Sequence, residues 1–219
     1  MSRWRALAAT AASVPITLFG LVLVTFLIGR VMPIDPVLAI VGDRAPQDVV
    51  ERARLDLGLD RPLPEQFLRY LGQIASGDLG RSVMTSNTVT EDIARFFPAT
   101  FELATVAIIL AVLVGVPLGV LAATRQGTLT DQAVRLFCLA GHSVPVFVLG
   151  LLSLLVFYAQ LGWAPGPGRQ GIVFQDMVDV RTGLLTVDAA LAGDWDAFRD
   201  AWAHLAQPAG VLAFFSLAY

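Results

Sequence analysis

The sequence contains no lysine. Its fifteen basic residues are all arginine, so a G-x-x-x-x-G-K-[ST] phosphate loop cannot occur and the chain does not hold ATP by that device. Cysteine occurs once, at Cys138 in an apolar stretch, which excludes an internal disulfide or a cysteine-based metal site. Histidine occurs twice, at His142 and His204, too few for a histidine-rich metal site. Charge is scarce as well. Asp, Glu, Lys and Arg make up 15% of the chain, against about 25% in an average soluble domain. The net charge of −3 argues against a nucleic-acid partner, which calls for a basic patch.

What is abundant is apolar: 56% of residues, with a mean hydropathy of +0.68. That composition is one of an integral membrane protein. Three stretches reach spanning length, at residues 6–29, 103–124 and about 136–161. The first exceeds the usual ~7–15 residue core of a signal peptide. No A-x-A site closes it, so it is a retained anchor. Arg3 and Arg5 place the N-terminus in the cytoplasm by the positive-inside rule. Residues 32–97 and 162–204 then lie outside, and the short link 124–131 lies inside. A fourth apolar run, 205–219, is uncharged, but fifteen helical residues reach only about 22 Å, short of the roughly 30 Å hydrocarbon core.

The first outer segment has structure of its own. In APQDVVERARLDLGL, Pro46 suits a helix start and Gly58 a stop. Val49, Val50, Ala53 and Leu57 share one face. In RPLPEQFLRYLGQIASG, Phe67, Leu68, Leu71, Ile74 and Ala75 form a second stripe. GDLGRS reads as a glycine-dependent turn. Thr88 with Glu91 fits a capping box, starting a short amphipathic helix along the membrane surface that Pro98 ends. In the second outer segment, residues 188–203 alternate charge with Trp195, Phe198 and Trp202. They read either as an interfacial helix feeding the fourth run or as a lid over a substrate path.

Two groups of residues are candidates for function. Ala107, Ala111, Gly115, Gly119 and Ala123 recur every fourth residue in the second span. They leave a smooth face on which another helix can pack closely, and Pro117 in the same turn favours a kink. That face serves packing within one subunit, a helix that rocks during transport, or both. In AGHSVPVFVLG, His142, Ser143 and Pro145 sit in the third span. An ionisable residue there bonds a neighbouring carbonyl or lines a translocation path. His142 and Ser143 point about 100° apart on a helix, so they do not form a nucleophile–base pair. No enzymatic constellation is present.

Seven short motifs occur in order: RVMPIDP, LGLDRPLPEQFLRYL, GDLGRSV, FFPATFELA, GVPLGVLAATRQGTLTD, SVPVFVLGLLSLLVFYAQLGW and HLAQPAGVLAFFSLAY. In this the whole chain resembles the B-type inner-membrane permease subunits of bacterial ABC importers for dipeptides, oligopeptides, nickel and related solutes. The resemblance implies an all-α polytopic fold, the N-terminal part of a type-I importer transmembrane domain. Three full spanning helices and the start of a fourth are expected, with a small helical extracytoplasmic region. Residues 1–97 would be an N-terminal addition and 98–219 the first part of the shared transmembrane domain. The implied partners are a second homologous permease, two ABC ATPase subunits that bind the ATP, and an extracytoplasmic substrate-binding protein. No cofactor is expected on this chain. No residue matches the cytoplasmic coupling motif of such permeases, so the chain reads as C-terminally truncated. The rival reading is a non-transporting membrane anchor or receptor whose outer segment binds a partner.

Overall fold

The computed structural model describes residues 3–31, 36–42, 44–56, 58–82 and 84–217. Residues 32–35, Leu57, Ala218 and Tyr219 lie outside these, as do the side chains of Arg3, Arg5 and His142. Regular structure among the described residues is helical, with one isolated antiparallel bridge between Arg81 and Thr88. The chain divides into two compact units, Met1–Ile93 and Ala94–Tyr219.

In the first unit, α1 (Arg3–Val31) is 29 residues long and exposes apolar side chains on every side, among them Ile16, Leu18, Leu21 and Ile28. A helix apolar all round is one made for lipid, and its segment Ser13–Arg30 is long and apolar enough to cross a membrane. Two short helices follow, α2 (Pro36–Val41) and α3 (Gln47–Asp56). As the sequence suggests, α3 stops before Gly58, whose φ of +66° suits glycine. Next comes α4 (Leu63–Ala75), with proline in its first turn. Its Phe67 ring lies 5.7 Å from Phe19 and 5.2 Å from Phe26 of α1. The turn after α4 places Gly77 and Gly80 at positive φ, and the Asp78 carboxylate accepts the Gly80 N–H. The capping box is complete. Glu91 Oε2 accepts from the Thr88 N–H at 3.0 Å, and Thr88 Oγ1 accepts from the Glu91 N–H at 3.2 Å.

The capped helix does not stop at Pro98. Instead α5 runs unbroken from Val89 to Thr124, with Pro98 and Pro117 inside it. A proline in a helix interior removes one hydrogen bond. In a 36-residue helix the remaining ladder outweighs that loss, and the Pro98 ring finds a partner in Gly183. A Cβ at Gly183 would come within 2.8 Å of Pro98 Cγ.

In the second unit, the expected third span is two helices rather than one: α6 (Leu129–Ser143) and α7 (Val146–Ser153). They meet at 94°. The cause is Pro145, at φ −53°, which forces Val144 before it into an extended conformation at φ −108°, ψ 131°. The path of α7 continues through a π-helical stretch, Leu154–Gln160. Two described helices are thus long and apolar enough to cross a membrane, or three if the bent pair counts as one.

The segment between the third and fourth apolar runs also differs from expectation. Residues 188–203 are not one helix, because Gly193 adopts φ +72° and ends α8 (Leu185–Ala192). Asp194 then caps α9 (Trp195–Ser216), its carboxylate accepting the Ala197 N–H at 2.9 Å. From there α9 is continuous for 22 residues, about 33 Å. The aromatic stretch and the fourth apolar run therefore belong to one helix, with Asp196, Arg199 and Asp200 in its first two turns. Its buried residues Ala197, Ala201, Ala209 and Ala213 recur at multiples of four, and α6, α7 and α8 all pack against α9. Small side chains permit this close approach. One close point is Gly141 of α6, where a Cβ would lie 2.5 Å from the Phe214 carbonyl oxygen.

Candidate translocation site

The sequence of α8 begins LLTVD, which offers no side chain able to cap its own N-terminus; Leu184 occupies the N-cap. The cap comes from another helix. Glu102 of α5, 8% exposed, accepts the N–H groups of Leu185 at 3.2 Å and Thr186 at 2.8 Å, and the Thr186 hydroxyl. A carboxylate at a helix N-terminus satisfies orphan donors and meets the positive end of the helix dipole. Arg169 completes the arrangement. Its Nη2 lies 3.0 Å from Glu102 Oε2 and donates as well to the Gly183 carbonyl at 3.1 Å. A buried charge needs such pairing.

One turn along α8, Asp188 is almost fully buried at 2% exposure. It folds the preceding loop around itself. The N–H groups of Arg181, Thr182 and Gly183 and the Thr182 hydroxyl all donate to its carboxylate, at 2.7–3.2 Å. Burial alone would raise the Asp188 carboxyl. The Thr182 hydroxyl and the three N–H donors outweigh it and hold the group below the usual carboxylate value.

Beside this frame lie cavities along α9. A cavity of about 220 Å³ reaches Glu102, Arg169 and Thr186 on one side and His204 and Pro208 on the other. Two larger ones, about 640 and 660 Å³, flank the contact between α7 and α9. Their walls are apolar except at Ser153, Gln207 and His204. Gln207 Nε2 donates to Ser153 Oγ at 2.7 Å, joining α9 to α7. His204, 9% exposed, has Nδ1 2.9 Å from the Asp200 carbonyl oxygen. A carbonyl only accepts, so Nδ1 carries a proton, and Asp200 Oδ2 lies 3.5 Å from the same nitrogen. Asp200 in turn receives the Gly171 N–H at 2.7 Å. The arrangement offers the uncharged Ser153 and Gln207 side chains and the His204 ring within an apolar wall. No group of three or more His, Cys, Asp or Glu among the described residues is placed to hold a metal ion.

The residues singled out from the sequence are placed differently. Ser143 and Pro145 are exposed at the α6–α7 bend, and the Ser143 hydroxyl donates to the Leu139 carbonyl. On α5, Ala107 is buried, Ala111 and Gly115 are half-buried, and Gly119 and Ala123 are exposed. Leu217 lies 3.2 Å from where a Gly115 Cβ would stand, whereas none of the described residues lies within 4 Å at Gly119. Sequence reasoning missed Glu102, Ser153, His204 and Gln207 as a set. A lone acid at the edge of an apolar run and a lone amide inside one were the signals available.

Two family descriptions cover the chain. "Binding-prot-dependent transport system membrane comp, N-term" matches residues 4–104, and "Binding-protein-dependent transport system inner membrane component" matches residues 115–219. Among curated relatives, the probable D,D-dipeptide transport system permease protein DdpB of Escherichia coli K12 is 40% identical over 99% of this chain and 64% of its own length. The di/tripeptide transport system permease protein DppB of Pseudomonas aeruginosa UCBPP-PA14 is 38% identical over 92% of this chain and 60% of its own. The dipeptide transport system permease protein DppB of E. coli K12 is 36% identical over 92% and 60%. The chain thus spans 60–64% of the length of these relatives. With both of its units matched and its helices built for lipid, the chain belongs to the family of inner-membrane components of binding-protein-dependent transport systems.

Proposed function

We propose that the chain forms part of the permease subunit of an ATP-driven ABC importer of type I, carrying peptides or related small solutes across the bacterial inner membrane. The observation that carries this reading is the pair of cavities along α9, apolar but for Ser153, Gln207 and His204. Uncharged hydrogen-bonding groups in an apolar wall suit the amides and side chains of a short peptide better than a bare ion. The three relatives described above, each named as a peptide permease, agree.

In this reading the chain supplies the path and catalyses nothing. Two ATPase subunits bind and hydrolyse ATP, a second homologous permease completes the path, and an extracytoplasmic binding protein delivers the solute. ATP binding favours the outward-facing state through its differential contacts with the two states. The N-terminus and the link at Gly127 are cytoplasmic, and α8 is outside. His142, Ser143 and Pro145, at the bend between α6 and α7, line the path. The open half of the α5 face, Gly119 and Ala123, receives the second permease.

The test is uptake of a radiolabelled dipeptide by cells carrying the assembled transporter. Gln207→Leu removes one hydrogen-bonding group from the path, worth about 1–1.5 kcal/mol, and lowers uptake about tenfold at unchanged membrane level. Uptake equal to the parent would show that the α9 cavities lie off the path.

A further inference from the structure

We infer that α4, in the first outer segment, is embedded in lipid: its apolar stripe lies in the acyl chains of the leaflet at the Arg30 end of α1. The inference rests on α1 crossing a bilayer and stands apart from transport.

The contact between the two helices fixes the depth. The Arg30 guanidinium folds back over the Phe26 ring, 5.2 Å from its centroid, so the polar boundary falls near the level of Phe26. Phe19 is seven residues earlier, about 10 Å further into the span at 1.5 Å per residue. Phe67 of α4 touches both rings. Its ring therefore sits between the boundary and about 10 Å of depth, which is where the apolar face of an interfacial helix lies. Water cannot be the solvent there, because α1 at the same level presents Phe19 and its apolar neighbours outward.

The rest of α4 is arranged to match. Phe67, Tyr70, Leu71 and Ile74 are partly covered, while Leu63 and Leu68 on the flanks of the stripe are 52% and 67% exposed. On the opposite edge, Gln66 Nε2 donates to the carbonyls of Leu59 and Arg61, and Arg61 pairs with Glu65. The polar edge is tied to the preceding turn, and the apolar edge is left for lipid. Acyl chains cover both flanks and α1 at once.

The test uses nitroxide labels on single cysteines in a Cys138→Ala background, with the chain reconstituted in phosphatidylcholine–phosphatidylglycerol vesicles. Labels at Leu63→Cys and Leu68→Cys read the two flanks independently, and Gln73→Cys reads the polar edge. Oxygen partitions into lipid; a nickel chelate stays in water. The expected result is nickel accessibility at Leu63 and Leu68 at least about fivefold below that at Gln73, with high oxygen accessibility, as for side chains in the acyl region. Nickel accessibility equal to that at Gln73 would place α4 in water and overturn the inference. Low accessibility to both reagents would mean protein covers the stripe and would overturn it equally.

Discussion

Replacing Glu102 with glutamine keeps the shape of the side chain and removes the charge that caps α8. The amide oxygen can still accept from Thr186. The amide nitrogen, now facing Arg169 and the Leu185 N–H, cannot accept from either. Hydrogen bonds to a charged group contribute about 1.5–3 kcal/mol each. Arg169 is 44% exposed and regains water, so its share falls to about 1 kcal/mol. The Leu185 N–H is left beside a donor and contributes about 1–3 kcal/mol more. The sum, about 2–4 kcal/mol, corresponds to a fall in melting temperature of about 4–16 °C for a chain of this size. Cys138 is the one cysteine and is half-buried, so a thiol-reactive dye reports unfolding in detergent without further engineering. Glu51→Gln, at an exposed position, is the control and leaves the melting temperature in place. A Glu102→Gln protein that melts within a degree of the parent would refute the inter-helix cap as a source of stability.

Gly141→Val forces a side chain onto the Phe214 carbonyl and costs about 1–3 kcal/mol by overpacking, read by the same melting assay. A Cβ at Gly119 meets nothing within 4 Å among the described residues, so Gly119→Val leaves the melting temperature unchanged and lowers the yield of the assembled transporter on pull-down; the reverse pattern would remove Gly119 from the subunit interface. Asp188 gives a pH signature. Its carboxyl lies below the unfolded value of about 3.9, so its stabilisation is complete above that pH and is lost as pH falls through the folded value. The gap in melting temperature between the parent and Asp188→Asn is therefore expected to close below about pH 4, and a gap that persists at lower pH contradicts the assignment. For topology, an impermeant thiol reagent on intact cells labels Gly171→Cys and not Gly127→Cys in a Cys138→Ala background; the opposite pattern inverts the proposed orientation.

Local signals in the sequence located most helices, because each rests on a short-range cause. The Thr88–Glu91 box, Gly58 after α3 and the apolar run of α1 are examples. Prolines were harder to read. Pro98 and Pro145 look alike in sequence, yet one is absorbed into α5 and the other separates α6 from α7. The difference lies in what surrounds them: Gly183 accommodates the Pro98 ring, while Val144 is driven extended before Pro145. The small-residue period was visible on α5, but the buried alanine stripe belongs to α9, where bulkier residues between the alanines obscure it. The role of Glu102 was illegible for a different reason. The donors it caps include the amides of Leu185 and Thr186, 83 and 84 positions away, and backbone N–H groups leave no mark in a sequence. Ser153 and Gln207 are likewise joined only by the crossing of two helices.

The cap on α8 has a consequence for biogenesis. A helix of eight residues is marginal on its own, because nucleation is costly and few bonds repay it. Here the donors of its first turn are satisfied by a residue synthesised some eighty positions earlier. When the ribosome delivers residues 185–192, α5 must already stand in place for α8 to persist. The segment 181–192 is thereby made a reporter of insertion. A chain whose α5 has entered the bilayer at the wrong height presents residues 181–192 as an open strand, and a protease added to the face that carries them would cut there first.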